Sequence, residues 1–324
     1  MLKNGFGRRS GRYLLFLILL CSTGLPLNGQ APSRVAYPPI HVSGTATKKI
    51  AGLTAQQIRH AYGFDQIANQ GSGQTIGIIN AYDPPYIEAD LAVFSQAFNL
   101  PSCPVSSGCF RKVYPSGTQP QTDGLWALET ALDVEWAHAI APQAHIMLVE
   151  AASATVSDLL GAVDFAIQNG ATVISMSWGT PEFSGEIAYD SHFVAANVAF
   201  VAAAGNFGNP GFWPAASPYV TGVGGTKLQL NAKGDYITEN AWKDGGGGLG
   251  TFESEPLYQA QFNIPADPYG ARGIPDVAYN ADPNTGFAVY DSIPFAGSGW
   301  IQVGGTSAGA PQWAALIAIV NSIR

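Results

Sequence analysis

The sequence predicts a doubly wound α/β fold: a mainly parallel sheet with helices on both faces. Apolar, strand-like runs alternate with helix-like periodicity between positions 74 and 204, the pattern of successive β-α-β units whose ligands sit at the carboxyl ends of the strands. The 38 glycines supply tight turns between such elements. With 324 residues, 47% hydrophobic and 12% charged, the chain can fill the core of one large domain.

At the amino terminus, Lys3, Arg8, Arg9 and Arg12 precede an apolar run over 13–20. This layout reads as a secretory signal within residues 1–29, with its cleavage point open, and it is short for a membrane span. The expectation is therefore an exported protein, secreted or periplasmic, with no membrane contact beyond the signal. Residues 30–51 are rich in Pro, Ser and Thr without apolar periodicity and read as a linker or short arm. The domain is assigned to 52–324.

Thr54 caps a short helix reaching Tyr62, residues 74–82 form a buried strand, and 87–98 have helical spacing. Helix 125–140, strand 144–151, helix 156–169 and strand 172–178 follow, then a helix over about 187–197 and strand 200–204. Beyond Gly225 the rhythm changes: 227–230 and 236–242 flank a turn and predict a hairpin. Gly245 to Gly248 predict a mobile loop, and strands 287–290 and 300–303 deliver the chain to Gly304 and Gly305.

A net charge of -8 and the absence of a basic run beyond the amino terminus argue against nucleic acid as a partner. Cys103 and Cys109 share a Pro/Gly/Ser-rich loop and predict a small disulfide in an exported chain. The five histidines show no zinc-like spacing, so no metal site is assigned.

Chemistry concentrates at Gly304-Gly305-Thr306-Ser307-Ala308-Gly309-Ala310-Pro311. A strand turning sharply into a helix exposes Ser307 at a helix start, where unpaired N–H groups favour a developing negative charge. An N-cap serine is the plainer reading of that stretch alone. A serine nucleophile needs a base. His138 and His192 have no evident exposing device, whereas the helix bearing Glu129 and Asp133 presents two carboxylates on one side. At ~100° per residue, Asp133 lies ~40° from Glu129, and His138 lies about 180° away. Two close carboxylates can share a proton, which couples their titrations. Glu129 would take the serine proton while Asp133 holds and tunes it. An exposed acidic face without a role is the alternative.

Together, Glu129-x-x-x-Asp133, Ser175-Met-Ser-Trp-Gly179, Ala202-Ala-Ala-Gly-Asn206 and Gly305-Thr-Ser307-Ala-x-x-Pro311 resemble the sedolisin family of serine-carboxyl peptidases, in the family's order. The resemblance implies a subtilisin-like fold and an endopeptidase acting on proteins or peptides. Ser307 would be the nucleophile, Glu129 the general base and later acid, and Asp133 the residue orienting Glu129. Ser177, Trp178 and Gly179 would form the edge against which a substrate strand pairs.

Three departures from the family pattern stand out. The oxyanion donor, usually aspartic acid, is Asn206, whose amide donates at any pH. Only the short arm stands where relatives carry a large amino-terminal activation domain. The family's calcium site is built after the serine helix, and Arg324 is 17 residues past Ser307; no calcium ligand or other cofactor is assigned. The domain reads as short at its carboxyl end, and an inactive family member that binds peptides is the rival expectation. An esterase using His192 is a third, disfavoured because no histidine follows position 192.

Overall fold

The computed structural model describes residues 33–262, 270–293 and 295–324. The stretch read as a signal, residues 1–29, and the first residues of the arm lie outside that range. Strand β1 (His41–Thr47) comes first, followed by α1 (Ala55–Ala61), β2 (Thr75–Ala81), α2 (Ile87–Ala97), β3 (Phe110–Val113) and α3 (Gly124–Ile140). Then come β4 (His145–Ala151), α4 (Val156–Gln168), β5 (Val173–Met176), β6 (Thr180–Pro181), β7 (Ala199–Ala203), β8 (Phe212–Trp213) and β9 (Thr221–Leu230). The chain closes with β10 (Tyr236–Ala241), β11 (Gly248–Ser254), α5 (Leu257–Phe262), β12 (Ala271–Ile274), β13 (Val277–Asn280), β14 (Phe287–Asp291), β15 (Gly299–Gly304) and α6 (Gly309–Ser322).

The central sheet has eight strands in the order β10-β9-β7-β5-β2-β4-β3, with β13 also on β9. Its pairs are parallel except β9 with β10, the predicted hairpin. Alternation along β2 and β4 feeds two cores. Ile76, Ile78, Ile146 and Leu148 face the core shared with α2, α3 and α6, whereas Ile79, Ala81, Met147 and Val149 face the one shared with α4. Strands buried on both faces read as continuous apolar runs, which is why these are legible in the sequence.

Helix boundaries follow their caps. Thr54 and Gln57 form a reciprocal capping box at α1, and Asp123 accepts from the N–H groups of Leu125 and Trp126 at α3. Disulfide Cys103–Cys109 closes the loop before β3.

Three expectations need correction. The arm is not a free linker: β1 pairs antiparallel with β15, which also pairs with β14, making a separate three-stranded sheet. The helix expected over 187–197 is a 3₁₀ segment, Glu186–Phe193, entered through Gly185 at φ 93°. Its apolar residues Ile187 and Tyr189 are exposed, as is Val194 just beyond it, so no common apolar face exists to hold an α-helix. The glycine run is packed rather than loose, because Gly246 N–H donates to Gly205 O at 2.7 Å and a Cβ on Gly246 would stand 1.9 Å from Ala204 O.

Candidate active site

Helix α3 is buried around its whole circumference from Trp126 to Ile140. Glu129 and Asp133 are both 0% exposed, which removes the alternative of a solvated acidic face. Asp133 Oδ1 accepts from Ser177 Oγ at 2.6 Å and its Oδ2 from Asn80 Nδ2 at 2.9 Å. Both Glu129 oxygens lack hydrogen-bond partners among the described residues. Burial, reinforced by the Asp133 charge, raises the Glu129 carboxyl well above its usual range, while the neighbouring Ser307 hydroxyl pulls it down. Burial also pushes Asp133 up to about 7, against the opposing pull of Ser177, Asn80 and Glu129. Two buried carboxyls this close affect each other's titration.

Ser307 lies in a 3₁₀ turn, Thr306–Ala308, between β15 and α6. Gly305 enters that turn at φ 111°, a conformation that favours glycine. The sequence predicts an exposed serine, but Ser307 is buried and its Oγ has no hydrogen-bond partner among the described residues. The arm and Asn206 both crowd the entry to this turn: a Cβ on Gly305 would stand 2.2 Å from Pro39 O, 2.8 Å from Asn206 Nδ2 and 3.1 Å from Ile40 Cα.

Asn206, in the loop between β7 and β8, donates through Nδ2 to Pro39 O. Thr306 orients that amide, its N–H donating to Asn206 Oδ1 at 2.8 Å and its hydroxyl lying 3.1 Å from the same oxygen. The Thr306 hydroxyl also accepts from Gly205 N–H at 3.0 Å. The Asn206 amide is therefore fixed at both its oxygen and its nitrogen.

The arm runs between two strands of chain as a third. Tyr37 N–H donates to Gly179 O at 3.0 Å and Gly179 N–H to Tyr37 O at 3.1 Å, in antiparallel register. On its other side, Ala36 N–H donates to Ala154 O at 2.9 Å and Val156 N–H to Arg34 O at 2.8 Å.

Among the described residues, Gly179 is the member of the predicted edge that pairs with the arm. The Ser177 side chain is committed to Asp133, and Trp178 is buried in the α4-side core beside Trp213. Sequence reasoning misses the second wall, residues 154–156, together with Asn80 and Thr306. Small residues following β4 at a strand's carboxyl end are the available signal for that wall.

His138 and His192 lie apart from these groups, with His138 Nε2 2.7 Å from Pro101 O and His192 Nδ1 2.8 Å from Asp164. Among the described residues the one grouping with metal-ligand geometry is Cys103, Cys109 and His138, whose cysteines are consumed by the disulfide.

Comparisons with known proteins bear on the family and the fold. Residues 124–324 match the model of the Subtilase family. Kumamolisin from Bacillus sp. (strain MN-32) is 35% identical over 301 residues, covering 83% of this chain and 52% of that protein. The chain belongs to the sedolisin family. Sedolisin from Pseudomonas sp. (strain 101) is 27% identical over 291 residues, 79% of this chain and 48% of that protein. A solved Pseudomonas sedolisin, titled a serine-carboxyl proteinase complexed with two molecules of pseudo-iodotyrostatin, matches with a TM-score of 0.72 and 25% identity. That match covers 85% of this chain and 82% of the other, and it identifies the fold as subtilisin-like. The chain spans about half the length of these curated sedolisin-family relatives.

Proposed function

We propose that this chain is an exported serine-carboxyl endopeptidase that hydrolyses peptide bonds through an acyl-enzyme. One observation carries the reading: the chain's own arm lies in the groove as a peptide strand, with the Pro39 carbonyl against the Asn206 amide beside Ser307. A groove that holds its own backbone in this way can hold a substrate's.

In this reading Ser307 Oγ attacks the substrate carbonyl carbon and its proton passes to Glu129. Asn206 Nδ2–H holds the oxyanion that forms, a donor of the kind worth ~2.7–4 kcal/mol in the transition state. Glu129 then gives the proton to the leaving amine as the C–N bond breaks. Water repeats the sequence on the acyl ester and frees Ser307. Asp133 takes up or releases charge as Glu129 changes state, so the buried pair need not carry two charges at once.

The register of the arm supports endopeptidase over tripeptidyl action. Tyr37, Pro38 and Pro39 would be the three residues before the cleaved bond, yet the groove continues to pair with Ala36 and Arg34. An amino-terminally blocked peptide with six residues before its cleavage site should therefore be cut. Export is supported by the Cys103–Cys109 disulfide, which persists in oxidising compartments.

A second reading is an inactive family member that only binds peptides. It is favoured by the Ser307 hydroxyl, which has no formed hydrogen bond to Glu129. A peptide aldehyde that reacts covalently with wild type and not with Ser307→Ala supports the enzyme; equal behaviour of the two proteins supports the binder.

A further inference from the structure

The groove recognises more than backbone where it meets Tyr37. Its ring stands edge-on to Phe212, centroids 5.2 Å apart at 84°, and to Phe207 at 6.4 Å and 68°. Phe207 and Phe212 themselves lie 5.9 Å apart at 36°, forming two sides of an aromatic slot. The contacts fall within the separations at which aromatic pairs attract beyond simple area burial.

The two phenylalanines are held differently. Phe212 is fixed: β8 pairs with β6 immediately past Gly179, and Phe212 N–H donates to Ala204 O at 2.9 Å. Gly179 and Gly205 lack the Cβ atoms that would stand 2.9–3.0 Å from the Phe212 ring, so the ring reaches the groove floor. Phe207 is 68% exposed in the loop after Asn206. The core does not use it, and its ring partners among the described residues are Tyr37 and Phe212.

We infer that Phe207 and Phe212 form a specificity subsite for an aromatic side chain two residues before the residue that presents its carbonyl to Asn206. This deepens, and rests on, the peptide-groove reading above. The Tyr37 hydroxyl makes no hydrogen bond among the described residues, so the slot selects a ring and not a phenol. Phenylalanine and tyrosine are equivalent occupants, and alanine is a poor one. The arm, by placing Tyr37 there, competes with substrate for the same slot.

The test uses peptides patterned on the arm, Arg-Val-Ala-Xaa-Pro-Ala-Ile, with Xaa Tyr, Phe or Ala. Wild type is expected to cleave the Tyr and Phe peptides with equal kcat/KM and the Ala peptide about ten-fold less well. Phe207→Ala, at an exposed position, is expected to lose most of that preference, read as the ratio of kcat/KM on the Tyr and Ala peptides. Equal cleavage of all three by wild type overturns the subsite. If wild type cleaves none, the peptidase reading fails and binding decides the subsite separately. Calorimetry on full-length Ser307→Ala carrying Tyr37→Ala, which loosens the resident arm, is then expected to give the same ten-fold order. Equal affinities there overturn the subsite.

Discussion

Two donors, Ser177 and Asn80, sit on Asp133, and among the described residues neither Glu129 oxygen has a hydrogen-bond partner. In the proposed relay the negative charge of the pair is held on Asp133 and the shared proton on Glu129. When Glu129 accepts the Ser307 proton, its own moves to Asp133. Activity in this scheme needs Asp133 ionised. Replacing Asn80 by leucine removes a donor to the charged form, so the Asp133 titration rises. The acid limb of the pH–rate profile should then move to higher pH, and an unmoved limb would show that Asn80 does not act through Asp133. Asn206→Asp makes the opposite kind of change. An aspartate donates only when protonated, so the alkaline limb should fall to lower pH. Rate measurements from about pH 3 to 9 report both effects. The acid pair and Ser307 are readable in the sequence because residue type and helical spacing fix them. Asn80 and Thr306 are not, since their roles depend on which strands of a parallel sheet become neighbours.

At the scale of elements, the central strands and long helices are legible because burial on both faces writes unbroken apolar runs and caps mark the ends. The arm is not. Its residues from Arg34 to Pro39 carry no apolar period, because their order comes from backbone pairing with residues 154–156 and 179. The glycine run before β11 misleads for a related reason: sequence shows permissiveness, while the structure shows close approach. Gly246→Ala would drive a methyl into Ala204 O, directly behind the Asn206 loop. The expected cost is about 1–3 kcal/mol or more, as for overpacking of a tight interior. Denaturant unfolding should show the loss, accompanied by weaker peptide hydrolysis through displacement of Asn206. Gly44→Ala, where a Cβ meets nothing within 4 Å, reports the strain of a positive φ without such a clash and should cost less.

Across the whole molecule, buried carboxyls set the response to pH. Burial raises Glu129 and Glu135 well above the usual range and pushes Asp133 and Asp291 up to about 7 and Glu150 up to about 10. A carboxyl raised in the folded chain keeps its proton where the unfolded chain, titrating near ~4, has released it. Raised acids therefore leave stability fully present below pH ~4 and lose it as pH rises toward and through the folded values. Thermal unfolding should occur several degrees higher at about pH 4 than at about pH 8. Glu135→Gln, which can keep the hydrogen bond from Tyr290 N–H, should flatten that dependence. A melting temperature that rises over the same interval would contradict the assignment of these groups as buried acids.

Ser307, Glu129 and Asp133 are proposed to act together on a peptide bond. The most direct test is digestion of a denatured protein across about pH 3 to 9 by wild type, Ser307→Ala and Glu129→Gln, each shown to be folded. Wild type should produce discrete fragments, and both variants should lose activity by ~10³-fold or more. Fragments formed equally by all three proteins, or by none, would contradict it.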